Sequence, residues 1–318
     1  MTIKTIILDT DIGTDVDDCL ALALCLASSE LKLIAVTTVY GDVRLRARMV
    51  LKLLALRGVD DVPVAAGAEK PLLNRAPVFW EGHEGQGVLT PEDSALAPVK
   101  EHSADLIVRT VMAKPGEIIL IAIGPLTNVA LAMLKEPRLA RALGGLVIMG
   151  GVIGGANALH LPWTEHNFRS DPEAAQIVLA AGAPMAIVPL DATTQVRIRP
   201  VGVARLAAAD TPFHVAVADQ IRQYPRYKER GWTYLHDPLA VATVIRPELV
   251  RWEALHAVVE TGGMHTAGKL LVELPSNITP ATAEVALGVN VAQAEAFIVG
   301  RLAQRGKSAE QPLTSPAS

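Results

Sequence analysis

Five aspartates stand within ten residues near the start of the chain, at positions 9, 11, 15, 17 and 18. They follow the apolar run 6–8, which is typical of a buried strand. Carboxylates at this density repel one another unless a cation, protons or open solvent relieves the repulsion. The alternative is a solvated acidic turn, in which Asp17 and Asp18 suit the first turn of a following helix. Because a helix cap needs only one or two acids, we favour a metal site.

The cluster offers oxygen ligands, which predicts a hard cation, Ca²⁺ or Mg²⁺, over zinc. The two cysteines, Cys19 and Cys25, are expected to be buried in a helix as small hydrophobic residues. The cluster does not match an EF-hand, because the glycine of that loop would fall at Thr14 while Gly13 stands one place early.

The bulk composition is that of a globular protein that acts on small molecules. Half of the 318 residues are hydrophobic, 19% are charged and the net charge is −4. Such a chain has no basic field for nucleic acid or for an anionic membrane. It also lacks a run of roughly 18 apolar residues that could span a bilayer, and it begins without a signal-peptide pattern. We therefore expect no nucleic-acid or membrane partner and a cytoplasmic location.

The elements that must position the acids alternate along the chain. This alternation predicts an α/β fold with a Rossmann-like core, in which a mainly parallel central sheet is covered by helices on both faces. We expect a single domain over residues 1–305 and a disordered polar tail over 306–318. The predicted strands are 3–9, 33–38, 62–66, 118–123 and 145–149, and the predicted helices are 17–29, 45–56, 103–113, 211–230 and 291–304.

Polar residues follow four of the predicted strands, at 9–18, 37–42, 124–128 and 150–151. In a parallel sheet the ligand lies outside the carboxyl ends of the strands. We therefore expect these four segments to meet around one site.

Two long loops and an aromatic-rich segment carry further polar and aromatic side chains. The loop 73–98 contains the glycine-rich stretch 80–87, which could be a mobile flap or flexible surface. The aromatic residues near 224–234 could stack on a ligand or pack under a loop, and both interpretations remain open. The second loop, 152–168, holds Asn157, His160, Trp163, Glu165, His166 and Asn167.

Five motifs, taken in order, resemble those of the inosine-uridine preferring nucleoside hydrolases, and they cover residues 3 to about 245. They are the aspartate run 9–18, Thr-Thr-Val-Tyr-Gly at 37–41, Gly-Pro-Leu-Thr-Asn at 124–128, Glu165-His166-Asn167 ahead of 171–175, and His236-Asp237-Pro238-Leu239-Ala240.

The resemblance implies a calcium-dependent N-ribosyl hydrolase that cleaves a purine or pyrimidine nucleoside to free base and ribose. It implies Asp11 as general base and His236 as the acid for the leaving base. It also implies a homo-dimer or homo-tetramer and a role in nucleoside catabolism and salvage. By motif, the calcium ligands would be Asp11, Asp18, Asp237 and the carbonyl of Thr127, and the ribose contacts would be Asp17, Glu165 and Asn167.

The chain departs from the common pattern of the family in its aspartate loop, which is two residues longer and leaves Asp15 without a predicted role. It departs also in the flap, where Glu81-Gly82 fits the usual His-Gly slot. Base preference is therefore open.

Further substrate contacts are predicted around the calcium and ribose residues, and these are Asp42, His83, Asn157, Tyr227 and Trp232.

Two other functions are compatible with parts of the sequence. A nucleoside-binding protein of the same fold without catalysis would retain the site but release no sugar. A HAD-type, magnesium-dependent phosphatase would explain the run Ile-Leu-Asp-Thr-Asp as an aspartyl-phosphate nucleophile with a second acid. Gly13 stands where that motif has Thr or Val, which disfavours the phosphatase.

Overall fold

A nine-stranded sheet forms the centre of the protein in the computed structural model, which describes residues 2–73, 76–154 and 158–305. Asn157 and the tail 306–318 lie outside the described residues. The described strands are β1 (Lys4–Thr10), β2 (Leu31–Thr38), β3 (Val64–Ala66), β4 (Ile118–Ala122), β5 (Gly145–Met149), β6 (Met185–Val188), β7 (Arg197–Ile198), β8 (Thr233–Tyr234), β9 (Val250–Val259), β10 (Leu270–Glu273) and β11 (Ala283–Val289).

The order of strands in the large sheet is β10-β9-β11-β6-β5-β4-β1-β2-β3, and β7 pairs with β8 separately. The seven strands from β3 to β11 in this order are parallel, whereas β9 runs antiparallel to both of its neighbours. The direction of chain progression reverses at β1, which lies between β2 and β4. At such a reversal the two crossover connections leave on opposite faces and open a crevice at the carboxyl ends.

Strand register brings the predicted polar segments level with one another. Asp9 pairs with Thr37 on one side and with Ala122 on the other, so β1, β2 and β4 end at the same edge of the sheet. This confirms the expectation that the segments after these strands share one edge.

Helices cover both faces of the sheet, each over its own apolar core. One core includes residues of α1, α2, α9, α10, α12 and α13, and the other includes residues of α3 to α7. The helices are α1 (Asp17–Ala27), α2 (Val43–Arg57), α3 (Ser103–Ala113), α4 (Thr127–Lys135), α5 (Leu139–Ala142), α6 (His166–Ser170), α7 (Pro172–Ala180), α8 (Leu190–Thr193), α9 (Pro200–Ala207), α10 (Pro212–Gln223), α11 (Pro225–Arg230), α12 (His236–Ile245) and α13 (Val291–Leu302).

The predicted elements up to residue 149 are confirmed, with ends that differ by at most two residues. The single helix predicted over 211–230 is wrong, because the chain leaves the helical conformation at Tyr224 (φ −58°, ψ 123°). Pro225 follows, lacks an N–H for a helical hydrogen bond and disfavours helix at the residue before it. The strands β6 to β11 are not among the strands predicted from the sequence.

None of the helices within residues 2–73, 76–154 and 158–305 is long and apolar enough to cross a membrane.

Candidate active site

A cavity of about 510 Å³ opens at the carboxyl ends of β1, β4 and β5, within the size range of small-molecule sites. The loop from β1 to α1 supplies acids to it, as do the N-cap of α6, Glu165, and the start of α12. The predicted site residues that line this cavity are Asp11, Asp17, Asp18, Glu165, Asn167, His236 and Asp237. Seven residues from three separate parts of the sequence are therefore brought together.

The loop between β1 and α1 is held by a buried arginine of α2. Arg46 is fully buried, and its guanidinium donates to the carbonyl oxygens of Asp11 and of Ile12, the latter at 2.8 Å. It also donates to the carbonyl oxygen of Tyr40 at 2.6 Å and to Thr14 Oγ1 at 3.3 Å. A buried guanidinium with its donors satisfied in this way fixes the loop backbone and places a positive charge beside the acids.

Three carboxylates form the tightest acidic group among the described residues. Ligand oxygens of Asp17, Asp18 and Asp237 lie within 4.8 Å of one another, and all three residues are buried. Asp17 and Asp18 belong to the first turn of α1 and Asp237 to the first turn of α12, and these two helices pack together. The positive ends of both helix dipoles therefore face the carboxylates.

Burial raises the pKa of these acids, and their neighbours raise it further. The pKa of Asp17 rises to about 8, through burial first and the charge of Asp15 second. Burial and the adjacent acids also hold the pKa values of Asp18 and Asp237 well above the ordinary value. Ionising all three together requires a compensating positive charge.

The donor set fits a hard divalent cation. Asp17, Asp18 and Asp237 offer only oxygen atoms, which Ca²⁺ and Mg²⁺ prefer. Thr10 Oγ1 donates to Asp18 Oδ1 at 2.5 Å and so orients that carboxylate. Asp18 and Asp237 are predicted metal ligands, whereas Asp17 is predicted to bind ribose. In the structure Asp17 lies beside the two predicted ligands and also lines the cavity.

Asp11 faces the same cavity and is 7% exposed. Burial raises its pKa to about 6, while the charge of Arg46 acts in the opposite direction. The Asp11 carboxylate lies 3.8 Å from the His166 imidazole. The end of β4 approaches it closely at Gly124, where a Cβ atom would come within 2.9 Å of Asp11 Oδ1. The pKa of Asp11 therefore lies much closer to neutral pH than that of an ordinary aspartate.

Glu165 and Asn167 are fixed by backbone groups. The Glu165 carboxylate caps α6 and accepts from the N–H groups of Asn167 at 2.7 Å and Phe168 at 3.0 Å. The Asn167 side chain donates to the carbonyl oxygens at the ends of β4 and β5, Ile123 at 2.9 Å and Met149 at 3.1 Å. In that orientation Asn167 Oδ1 remains as an acceptor on a rigid support.

His236 begins α12 and lies beside aromatic and hydroxyl groups. Its Nδ1 is 2.7 Å from Thr193 Oγ1, and its ring centroid is 4.7 Å from that of Tyr234. Burial lowers the pKa of His236 to about 4. The ring is therefore neutral near pH 7, and if the Thr193 hydroxyl donates to Nδ1, the proton sits on Nε2.

Five further predicted residues do not line the main cavity. Thr127 donates its hydroxyl to Asp171 at 2.7 Å, and the metal role predicted for its carbonyl stays a prediction. Asp42 is exposed and caps α2 by accepting from two backbone N–H groups. His83 contacts the Thr14 carbonyl at 2.8 Å. The guanidinium carbon of Arg197 lies 4.2 Å from the centroid of the Trp232 ring, so Trp232 packs under this arginine. Tyr227 packs against the apolar core.

Several further residues face the cavity. Asp15 belongs to the acidic cluster but has no predicted role, and Tyr224 is one of the aromatic residues that could stack on a ligand or pack under a loop. The others have no predicted role, and apart from the position of His166 in the Glu-His-Asn motif no sequence pattern marks them: Thr14, Phe79, Met149, His166, Arg226 and Arg230.

Comparison with known sequences finds one family that covers nearly the whole chain. Its model, described as inosine-uridine preferring nucleoside hydrolase, matches residues 6–296. A relative named pyrimidine-specific ribonucleoside hydrolase RihA, from Citrobacter koseri, is 34% identical over 277 residues, which are 84% of this chain and 88% of the relative.

Solved structures of similar fold carry related names. A purine-preferring ribonucleoside hydrolase from Gardnerella vaginalis superposes with a TM-score of 0.84 at 30% identity, covering 94% of this chain and 98% of the other. A plant nucleoside hydrolase, PpNRh1, superposes with a TM-score of 0.83 at 29% identity, covering 95% and 99% respectively.

Proposed function

Because this chain belongs to the inosine-uridine preferring nucleoside hydrolase family, and is thus an N-ribosyl hydrolase of nucleosides, we propose that it uses the described cavity to cleave a ribonucleoside with the help of Ca²⁺. The products are the free base and ribose. Asp18 and Asp237, with Asp11 and the Thr127 carbonyl as predicted, would hold the ion.

The observation that carries the proposal is the group of buried carboxylates from α1 and α12. Asp17, Asp18 and Asp237 place oxygen ligands within 4.8 Å of one another inside a cavity large enough for a nucleoside. When bound, Ca²⁺ would hold the ribose diol and lower the pKa of a water molecule that it carries.

The chain's own acids would stabilise the reacting sugar. Cleavage of an N-glycosidic bond develops positive charge on the sugar ring, as in glycoside hydrolysis. With a bound cation to compensate them, the carboxylates of Asp11 and Asp17 would be ionised and would face this charge from fixed positions, without reorganisation during the reaction. Asn167 Oδ1 and Glu165 would accept hydrogen bonds from ribose hydroxyls, since both side chains are held by backbone contacts.

Asp11 would act as general base. It accepts one proton of the attacking water while the water oxygen bonds to the anomeric carbon of the ribose. The electron pair of the broken C–N bond leaves with the base. Burial raises the pKa of Asp11 and so gives its carboxylate a useful proton affinity, while the charge of a bound cation would keep it ionised near pH 7.

The departing base needs a hydrogen-bond donor, and we assign this role to His236. With a pKa of about 4 the imidazole is neutral near pH 7, so its Nε2–H would donate a hydrogen bond to the base nitrogen and stabilise the negative charge that develops there, while solvent supplies the proton that completes the free base. Thr193 at Nδ1 supports this tautomer. Tyr234 beside His236 offers an aromatic edge to the base.

Both purine and pyrimidine nucleosides are proposed as substrates, since the similar proteins named above are described as pyrimidine-specific in one case and purine-preferring in another. The predicted homo-oligomer and cytoplasmic location stay predictions.

A reducing-sugar assay tests the proposed function. Purified protein is incubated with uridine, cytidine, inosine, adenosine and guanosine in the presence of Ca²⁺ and without phosphate. Release of ribose from at least one nucleoside is expected. A protein that binds nucleosides but releases no sugar over hours would instead support the non-catalytic alternative.

A further inference from the structure

Asp15 accepts a hydrogen bond from the phenol hydroxyl of Tyr224, which lies far along the chain. Asp15 belongs to the loop between β1 and α1 and lines the main cavity beside Asp17. Tyr224 forms the corner between α10 and α11. The bond therefore joins the acidic loop to the corner that forms another wall of the cavity.

The corner also carries basic side chains into the cavity. Arg226 lies two residues after Tyr224 and contacts Glu81 at 3.5 Å, and Arg230 ends α11. Both arginines line the cavity. Because α11 follows directly from the corner, the position of Tyr224 determines where this wall stands.

Tyr224 is well placed to act as a fixed donor. It is 5% exposed. Burial first, and then the charge of Asp15, raises the pKa of the phenol, so the hydroxyl keeps its proton. A buried hydroxyl without an acceptor would cost free energy, and Asp15 supplies that acceptor.

The loop is fixed next to Asp15 by the contacts of the preceding residue, Thr14. The Thr14 carbonyl is 2.8 Å from His83 Nε2, and the Thr14 hydroxyl donates to Glu84 at 3.1 Å. A second, small cavity of about 60 Å³ lies between this loop and the corner and is lined by both Asp15 and Tyr224. The pair thus separates the two cavities as a wall.

We propose that Asp15 is a positioning residue for the part of the site that receives the base of the substrate. Asp15 does this by holding Tyr224, and with it the α10–α11 corner, against the acidic loop. This inference rests on the proposed function, because it places the ribose at the acids of α1 and α12. The base then extends toward His236, Tyr234 and the corner. Asp15 is accordingly neither a metal ligand nor a ribose contact.

The test compares binding of a whole nucleoside with binding of the sugar alone. Pseudouridine and formycin B serve as nucleoside probes, because their bases are joined through carbon and resist N-glycosidic hydrolysis. Ribose serves as the sugar probe. Calorimetric Kd values are measured with Ca²⁺ for the wild type, Tyr224→Phe, Asp15→Ala, Asp15→Asn and the double variant Asp15→Ala/Tyr224→Phe.

Tyr224→Phe and Asp15→Ala should each raise the Kd of the better nucleoside probe about tenfold, as expected for a lost hydrogen bond to a charged group. The Kd of ribose should change by less than about twofold in both variants. The double variant should be no worse than either single variant, because both remove the same bond. Asp15→Asn keeps an acceptor oxygen and should retain most of the affinity.

Asp219→Ala is the matched control, since Asp219 is an exposed acid on α10 that pairs with Arg222.

Equal losses for ribose and nucleoside, additive losses in the double variant, or a wild type that binds neither nucleoside probe would each overturn the proposal. Tyr224→Phe keeps the ring and Asp15→Asn the side-chain shape, so at least one folded variant can be measured. Binding is read without turnover, and the absence of ribose release from every nucleoside of the panel would contradict the proposed function separately.

Discussion

Asp18 and Asp237 come from opposite ends of the sequence, yet they place carboxylate oxygens within 4.8 Å of each other. The relationship follows from the packing of α1 against α12, each of which carries its acid in the first turn. The acidic run 9–18 is therefore only part of the proposed metal site. The packing of two helices, one from each end of the domain, completes it.

Asp11→Ala should lower turnover by about a thousandfold and weaken calcium binding at the same time, because the predicted roles of Asp11 are general base and ligand. Steady-state ribose release and calcium titration measure the two effects. Asp61→Ala removes an exposed acid and serves as control. A near-normal rate for Asp11→Ala would remove this residue from the site.

His236→Ala should slow the cleavage of natural nucleosides more than that of p-nitrophenyl riboside. The aryl leaving group departs without a proton, so it needs no donor, whereas a purine or pyrimidine does. The loss for the natural nucleoside should be about a hundredfold or more. If both substrates lose the same factor, His236 does not assist the leaving base.

Arg46→Met should lower the free energy of unfolding by about 3 kcal/mol, because it leaves several buried carbonyl oxygens without a donor. Turnover should fall as well, since the loop that carries Asp11 loses its support. Denaturant titration and the ribose assay measure the two effects. Arg44→Met, on the exposed side of the same helix, should change neither by much, and equal behaviour of the two variants would contradict the role of Arg46.

His214 should make the protein less stable as the pH falls below the ordinary histidine pKa of about 6.5. This side chain is fully buried beside Thr211, and burial lowers its pKa in the folded state. The unfolded chain therefore binds the proton first on acidification, which favours unfolding. Melting temperatures from pH 7 to pH 5 should fall more steeply for the wild type than for His214→Gln. Parallel curves would show that another group dominates in this range.

The edge of the sheet that holds the site was predictable from the sequence, because apolar strands followed by polar residues mark carboxyl ends directly. Asp11, Asp17 and Asp18 follow β1 in this way, and all three face the cavity. Asp237 could be added only through the resemblance, since its approach to Asp18 depends on tertiary packing.

Other parts of the site could not be read from local pattern. Arg46 stands in a helix where an arginine normally reaches solvent, and only the fold shows that it is buried. The corner at Tyr224 depends on Pro225, which disfavours helix at the residue before it, whereas the helical periodicity on both sides of the corner predicts one continuous helix. Asp42 was predicted near the ribose, but in the structure it is exposed and caps α2.

Ribose release as a function of free Ca²⁺ tests the central claim most directly. The protein is treated with a chelator, its metal content is verified, and Ca²⁺ is added back with the best nucleoside of the panel. We expect no turnover in the chelated protein, full recovery with Ca²⁺, and an increase of at least about tenfold in the Ca²⁺ needed by Asp237→Asn. Full activity in protein verified to be free of metal would contradict the account.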